Sequence, residues 1–332
     1  MALVPMLVLL DHAAEHGYGV GAFNVQDLLQ AEAALEAARA TSSPVIVQAI
    51  AGGSAHGSDA VFWPLLRQLC AAYRDVPVAL HLDHGPSPEV CIAAMDAGFT
   101  SVMMDGSLAA DRTTPATFEE NVAVTRQVVE AAHDRGVTVE GELGTIGGIE
   151  SGHGGAEVEL TDPDAAEAFA VATGLDALAV AIGTSHGTYK FSREPDGDLL
   201  RMDLIAEIHR RIPSVHIVMH GSSSVPAELV EIVNRHGGKI RPTWGVPMRE
   251  KQLGIRHGVR KINVGTDSFL AVTGAVRAAL AADPEVFEPT QYLIPAREAM
   301  RRLCAQRMHD FGQAGMADRL IRRAMRRRDL PE

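Results

Sequence analysis

Three histidines stand at or just after the ends of short apolar segments: His84, His186 and His220. Imidazole nitrogen is a preferred ligand of Zn²⁺, and a catalytic zinc site uses three protein ligands while its fourth position stays open for substrate. The other histidines of the chain are interpreted as surface, core or loop residues. The sequence therefore predicts a catalytic metal site on these three imidazoles.

Carboxylates occur at equivalent places in the pattern. Asp83 directly precedes His84, and Asp105 and Glu142 each follow an apolar run. An ionisable group at the end of a buried segment is costly unless it is paired or binds something. Asp105 and Glu142 could be structural, but the favoured interpretation is that they bind a second metal position or hydrogen-bond the ligating imidazoles.

Three short segments rich in glycine, serine and threonine occur late in the chain. They span residues 183–190, 221–224 and 263–266, and the first ends in Lys190. Exposed backbone N–H groups in such loops and at helix N-termini attract anions. Each segment alone is a weak signal, because a GSSS sequence is also an ordinary helix cap. Together they favour a phosphate site.

The elements that would position these residues alternate in type. Apolar runs predict eight strands, and amphipathic stretches predict a helix after each one. The predicted strands are 19–24, 45–49, 78–82, 101–104, 137–141, 177–182, 215–219 and 259–264. Near-continuous apolar strands indicate a parallel sheet that helices cover on its outside.

Eight repeats of strand and helix predict an α/β fold, a closed (β/α)₈ TIM barrel, whose chemistry lies at the C-terminal ends of the strands. Polar residues end seven of the strands. A doubly wound sheet is disfavoured because no GxGxxG turn follows the first strand. We expect one domain over residues 1–332, with a helical extension at about 295–328. The glycine-rich stretch 141–155 is expected to be an active-site loop.

The chain has 332 residues and a formal net charge of −12, which argues against a partner that is nucleic acid or an anionic membrane. Its three cysteines form no CxxC motif, which suits a reducing, cytoplasmic location. The apolar N-terminus lacks the features of a signal peptide, and no segment reaches the roughly 20 apolar residues of a membrane span.

Several of these segments resemble one family. The sequence HLDHG at 81–85, GELG at 141–144, AIGTSHGTYKF at 181–191, MHGSSSVP at 219–226 and RKINVGTD at 260–267 look like those of class II fructose-bisphosphate aldolases, particularly the Calvin-cycle type. The resemblance extends from the first helix to about Ala317. It implies a lyase of carbohydrate metabolism that cleaves fructose 1,6-bisphosphate to dihydroxyacetone phosphate and glyceraldehyde 3-phosphate.

The resemblance also implies roles for single residues. Zn²⁺ would be held by His84, His186 and His220, with Asp105 and Glu142 around an alternative divalent position. Asp83 would transfer the proton at the C4 hydroxyl, and Glu150, in a mobile loop, would act at C3. The family binds the triose phosphate, often beside a monovalent cation (Na⁺ or K⁺), through residues that correspond here to Asn24, Gly187, Lys190, Gly221, Ser222, Ser223, Asn263, Gly265 and Thr266.

Three positions depart from the family pattern. Gly265 replaces an acidic or amide residue, Phe269 an arginine that contacts the distal phosphate across a subunit interface, and Ile50 a serine. In the family these positions lie on the aldehyde side of the substrate. The resemblance therefore leaves open an alternative, an aldolase that joins dihydroxyacetone phosphate to another aldehyde, such as a tagatose 1,6-bisphosphate aldolase or one for a ketose 1-phosphate.

Two further classes compete with an aldolase. A zinc hydrolase on the same barrel would more often show an HxH pair on its first strand and would lack the phosphate loops. A non-catalytic sugar-phosphate-binding barrel would be expected to have lost Asp83 or a ligating histidine. The family assembles as homodimers or homotetramers, and the same assembly is expected here.

Overall fold

The computed structural model describes residues 3–109, 111, 113–146, 149–150, 153–154, 159–191, 193–195 and 199–328, with backbone only at 149–150, 153–154 and 324–328. Eight parallel strands close into a barrel in the order β1-β10-β9-β8-β5-β4-β3-β2. They are β1 (Val20–Asn24), β2 (Val45–Ile50), β3 (Val78–Gly85), β4 (Ser101–Met104), β5 (Thr138–Leu143), β8 (Ala177–Val180), β9 (His216–Met219) and β10 (Val259–Val264). The predicted (β/α)₈ barrel is confirmed.

Nearly every residue of these strands is buried, because the inner side chains fill the barrel and the outer ones face the helices. Helix α1 (Met6–His16) covers the N-terminal end of the barrel. Its residues Met6, Leu9 and Leu10 join one buried cluster with Val20 and Ile46. Apolar packing thus closes the N-terminal end of the barrel. The strands end in polar residues at the opposite, C-terminal rim.

The remaining helices surround the barrel and extend beyond it. They are α2 (Leu28–Ala40), α3 (Asp59–Ala72), α4 (Pro88–Asp96), α5 (Phe118–His133), α6 (Pro163–Thr173), α7 (Met202–Arg211), α8 (Ala227–Arg235), α9 (Met248–Arg256), α10 (Thr266–Ala282), α11 (Pro289–Asp310) and α12 (Met316–Arg328). Several start at strong caps. Thr117 and Glu120 form a reciprocal capping box at α5, and Asp27 and Asp162 cap α2 and α6.

Three elements differ from the sequence-based expectation. Helix α9 was not predicted, because its sequence is mostly polar; it nevertheless buries Glu250 and Lys251. Helix α11 begins at Pro289 and continues through Pro295, where the extension was expected to start. The expected loop 141–155 contains a two-stranded antiparallel hairpin, β6 (Ile149–Glu150) and β7 (His153–Gly154).

The C-terminal extension packs against the barrel. Helix α11 lies on α2 and α10. After it, Gln313 accepts a hydrogen bond from the backbone N–H of Gly21 in β1 and donates one to the carbonyl of Pro44. Within the described part of the chain, none of the helices has the length and apolar character that crossing a bilayer requires.

Candidate active site

The three predicted metal-binding histidines meet at the C-terminal rim. His84 is the penultimate residue of β3, His186 follows β8 and His220 follows β9. Their ring centroids lie 4.8 to 5.8 Å apart, and one ring nitrogen of each lies within 4.8 Å of those of the others. His84 has a φ of +48°, a rare conformation for a residue with a side chain. Such backbone strain is concentrated at functional sites.

The hydrogen bonds of two imidazoles indicate which nitrogen of each faces the centre. Nε2 of His220 lies 2.8 Å from the Glu140 carboxylate, and Nδ1 of His84 lies 3.0 Å from Asp105. The other two nitrogens, Nδ1 of His220 and Nε2 of His84, are 3.2 Å apart. Two ligands at about 2.0–2.1 Å from a tetrahedral zinc would be separated by about 3.3 Å. The donor set therefore fits a divalent cation.

Glu140 belongs to a buried chain of charges below the histidines. Its other oxygen accepts a hydrogen bond from Nζ of Lys261 at 2.8 Å, and both side chains are fully buried. Burial alone raises the pKa of Glu140, but Lys261 and the hydrogen bond with His220 outweigh burial and hold that pKa below its ordinary value. Glu140 is therefore a carboxylate that can orient His220 toward a metal.

His81 lies beside this pair. Burial, helped by the positive charge of Lys261, holds the pKa of His81 well below its ordinary value, so the ring is neutral. Its Nδ1 lies 2.6 Å from the hydroxyl of Ser101 and its Nε2 lies 3.4 Å from Lys261. This places His81 in the core of the barrel as a hydrogen-bonded residue.

Asp83 is fully buried and held by amides from three other strands. One oxygen accepts hydrogen bonds from Asn24 at 2.8 Å and from Gln48 at 3.0 Å, and the other lies 3.4 Å from the amide of Asn263. Neutral donors fix the direction of the carboxylate without supplying it a counter-charge. Oxygen atoms of Gln48 and Asn263 have no hydrogen-bond partner among the described residues, which suits a site that binds a polar ligand.

Asp105 and Glu142 form a second group with His84, with ligand atoms also within 4.8 Å of one another. The hydroxyl of Ser107 bonds Asp105 at 2.6 Å and approaches Glu142 at 3.4 Å. Burial, reinforced by the charge of Asp105, raises the pKa of Glu142 well above its ordinary value. A divalent cation would relieve the repulsion between the Asp105 and Glu142 carboxylates. The second oxygen of Glu142 makes no hydrogen bond within the described part of the chain.

The three glycine- and serine-rich segments lie side by side at the rim. Gly221 has a φ of +59°, and a Cβ there would lie 2.7 Å from the backbone of Ser185. Gly187 also has a left-handed φ, of +77°, and Lys190 donates to the carbonyl of Ser185. Gly221 thus allows the first two segments to approach closely.

The third segment joins them through Ser222, whose hydroxyl donates to the carbonyl of Asn263 at 2.9 Å. The hydroxyl of Ser222 is thus already engaged in a hydrogen bond within the protein. Among the described residues, no hydrogen bond is donated by the backbone N–H groups of Ser222 and Ser223. Gly265 is the N-cap of α10 and Thr266 its first residue. Free amides next to a helix N-terminus can bind an anion.

One predicted site residue is placed only by its backbone. Glu150 lies in β6, and its side chain falls outside what the structure describes. Glu140, Lys261 and Ser107 were missed by the sequence interpretation. The sequence held a signal for the first two. Glu140 lies two positions before Glu142 in β5, and Lys261 lies two positions before Asn263 in β10. Residues two apart point to the same side of a strand.

Known proteins give an independent view of this geometry. The family model for "Fructose-bisphosphate aldolase class-II" matches residues 4–316. The chain is 52% identical over 332 residues to the fructose-bisphosphate aldolase of a Nostoc strain, covering 96% of this chain and 92% of the relative. It is 51% identical over 336 residues to the fructose-bisphosphate aldolase of Xanthobacter flavus, with 96% and 94% covered.

A solved structure agrees. The crystal structure of the YdjI aldolase from Escherichia coli K12 superposes with a TM-score of 0.74 at 27% identity and covers 95% of this chain and 99% of that one. The match to the family model spans the barrel and most of the C-terminal extension. This chain is a member of the class II fructose-bisphosphate aldolase family.

Proposed function

We propose that the protein catalyses the reversible, metal-dependent cleavage of fructose 1,6-bisphosphate to dihydroxyacetone phosphate and glyceraldehyde 3-phosphate. Membership of the family makes it a lyase. The observation that carries the proposal is the juxtaposition of three imidazoles, with ring nitrogens within 4.8 Å, and the oriented carboxylate of Asp83. We propose that the native ion is Zn²⁺, since three imidazole nitrogens suit it.

His84, His186 and His220 would hold a divalent cation, which would supply Lewis-acid chemistry for the ketone and for the negative charge left by carbon–carbon cleavage. Asp83 accepts the proton of the C4 hydroxyl. The C3–C4 bond then breaks, its electron pair stays on the C3 side, and C4 becomes the aldehyde carbonyl. In condensation Asp83 returns the proton. Asn24, Gln48 and Asn263 keep the carboxylate in place.

The phosphate of the triose half would lie on the rim segments. Lys190 offers a cation, and Gly187, Gly221, Ser223 and Thr266 offer backbone and hydroxyl donors. Gly265 lets the chain turn into α10 without a capping side chain. The family resemblance further predicts Na⁺ or K⁺ beside these loops, a second divalent position at Asp105 and Glu142, and a proton-transfer role for Glu150.

The departures at the aldehyde side do not favour another substrate. Ile50 lies opposite Asp83 in the β2–β3 register and Phe269 lies in the first turn of α10, partly buried. Curated relatives at about half identity are named fructose-bisphosphate aldolases. We therefore retain fructose 1,6-bisphosphate as the proposed substrate.

We further propose a cytoplasmic homodimer or homotetramer. The three cysteines, Cys70, Cys91 and Cys304, are free and buried, which suits a reducing compartment. Phe287, just before α11, is 84% exposed, and Ile294, near the start of that helix, is 56% exposed. A second copy of the chain could cover both. Analytical ultracentrifugation tests the assembly; a monomer at micromolar concentration would refute it.

Hydrogen exchange separates the two half-reactions of the proposed mechanism. Zinc-loaded protein should exchange a C3 hydrogen of dihydroxyacetone phosphate in D₂O and cleave fructose 1,6-bisphosphate, and a chelator should abolish both. Asp83→Asn should lower cleavage by about 100- to 10,000-fold. The variant should still bind zinc and exchange the C3 hydrogen, because Asp83 acts at C4.

Two results would contradict the proposal. Zinc-loaded wild-type protein that neither exchanges nor cleaves would refute aldolase chemistry. Exchange without cleavage of fructose 1,6-bisphosphate by the wild type would instead point to another aldehyde. His220→Ala serves as the control that should lose zinc and both reactions.

A further inference from the structure

The turn that follows β9 ends in strained backbone. Val225 has a φ of +47°, a conformation that β-branched residues avoid. Gly221, at the other end of the same turn, is left-handed too. Strain of this kind persists only where surrounding contacts fix the chain. We call residues 221–225 the anion turn. The contacts that fix this turn therefore determine where its backbone N–H groups point.

Asp267, the second residue of α10, holds the anion turn from below. One carboxylate oxygen accepts a hydrogen bond from the backbone N–H of Val225 at 2.8 Å, and the other accepts one from Ser224 at 3.1 Å. The Asp267 side chain is fully buried. Burying a carboxylate costs several kcal/mol of desolvation, which a nearby cation can offset.

Arg307, on helix α11 of the C-terminal extension, supplies such a cation. Its Nη2 and Nε lie 3.1 and 3.3 Å from the same Asp267 oxygen, and its Nη1 donates to Asp310 at 3.0 Å. The Arg307 side chain is 9% exposed. The guanidinium thus reaches the anion turn through one carboxylate, across 40 residues of sequence.

Lys251, on α9, secures the turn from another side. Its fully buried ammonium donates to the hydroxyl of Ser224 at 2.6 Å. In addition, the N–H of Val246 donates to the carbonyl of Ser223 at 3.0 Å. Helices α9 and α10 therefore contact Ser224 and Val225 directly, and α11 acts on them through Asp267. The amides of Ser222 and Ser223, on the rim side of these contacts, are left for a ligand.

We propose that Arg307 and Asp267 are positioning residues for the triose-phosphate site. They hold the anion turn in its strained conformation, so that the amides of Ser222 and Ser223 are ordered before the phosphate arrives. This makes α11 part of the ligand-binding apparatus. The proposal rests on the proposed function, since it takes a phosphate ester to be the anion bound there.

The test compares phosphate and zinc affinities in the full-length protein. Inorganic phosphate is titrated calorimetrically into zinc-loaded wild type, Arg307→Met, Arg307→Lys and Arg302→Met, and zinc affinity is measured by chelator competition. Arg302 is the matched control, since it lies on the same helix, is 64% exposed and pairs only with Glu298 among the described residues. Thermal unfolding identifies variants that are not folded.

Arg307→Met should weaken phosphate binding about tenfold, because the anion turn is no longer held in its binding conformation, and leave zinc affinity unchanged. It should raise KM for fructose 1,6-bisphosphate more than it lowers kcat. Arg307→Lys, which keeps the charge but loses the two-pronged contact, should be intermediate, and Arg302→Met should behave as wild type.

A folded Arg307→Met variant with wild-type phosphate affinity would overturn the inference, as would an equal loss of phosphate and zinc affinity. If Arg307→Met does not fold, Arg307→Lys decides: raised phosphate Kd with unchanged zinc Kd supports the inference, and unchanged phosphate Kd refutes it. Wild-type protein that binds zinc but neither inorganic phosphate nor dihydroxyacetone phosphate would refute the proposed function itself.

Discussion

Glu140, in β5, and His220, which directly follows β9, are joined by a hydrogen bond of 2.8 Å, although β8 lies between these two strands. The bond uses Nε2 of the imidazole and leaves Nδ1 directed toward His84. Because a carboxylate accepts but does not donate, it fixes the tautomer in which Nδ1 carries the lone pair. The metal-facing nitrogen of His220 is thus determined from below the site.

Glu140→Gln should lower zinc affinity by about 10- to 100-fold, the usual effect of changing a group that orients a ligating histidine. Glutamine is neutral, and its NH₂ group would point at the Lys261 ammonium or compete with the Nε2 proton of His220. Chelator competition measures the affinity. Glu130→Gln, an exposed residue of α5, is the control. Unchanged zinc affinity in Glu140→Gln would show that the bond does not orient His220.

Lys261→Met should destabilise the fold by about 3–5 kcal/mol, because it leaves the buried Glu140 carboxylate without its cation. Urea unfolding measures the change. The double variant Glu140→Leu with Lys261→Met should recover most of the loss, since replacing both members of a buried pair by apolar groups is often neutral. A double variant less stable than Lys261→Met would contradict this account.

Gly221→Ala tests the close approach of the phosphate loops. The new Cβ would lie 2.7 Å from Ser185 backbone, which has no side-chain freedom to move away. Gly136→Ala is the matched control, with a φ of +67° but nothing within 4 Å of the added atom. Both substitutions should cost about 1–2 kcal/mol for the left-handed backbone. Gly221→Ala should cost about 1–3 kcal/mol more for overpacking, as urea unfolding can show; equal losses would refute the contact.

Lys251→Met should change how stability depends on pH. Burial lowers the pKa of Lys251 to about 7 from 10.5, although Asp267 opposes this, while Arg307 and Lys190 add to it. Between these two pH values the unfolded chain binds the proton that the folded chain has lost, so wild-type stability rises with pH over this window. Below pH 7 the cost of burying the charge is fully present.

The gain in unfolding free energy from Lys251→Met should therefore be larger at pH 7 than at pH 9, by roughly 2 kcal/mol. Urea unfolding of both proteins at each pH measures the difference. The same gain at the two pH values would show that Lys251 does not lose its proton in this range.

Much of the fold could be predicted because its signals are local. The apolar runs and the polar residues that end them identify the eight strands and the residues at the rim. Helix α9 could not be predicted in this way, because its buried face carries Glu250 and Lys251 beside Gly254 and Ile255 and so shows no apolar stripe. Pro295 suggested a helix start, yet α11 accommodates it internally.

The support below the histidines was harder to predict. Glu140 and Lys261 lie 121 residues apart. Their contact depends on the closed order of the strands and on which side chains of β5 and β10 share one layer inside the barrel. The sequence shows that each side chain points inward, but the partner across the barrel follows only from the register.

The pairing of β1 with β10 affects folding during synthesis on the ribosome. Val20 pairs with Lys261, so the ring of strands closes only when residues near the end of the barrel have been made. Until then a nascent chain presents two unsatisfied sheet edges, the features by which β-proteins aggregate. Closure also joins segments far apart in sequence, which slows folding. The interval between synthesis of β2 and of β10 is therefore when exposed strand edges make the chain most prone to aggregation.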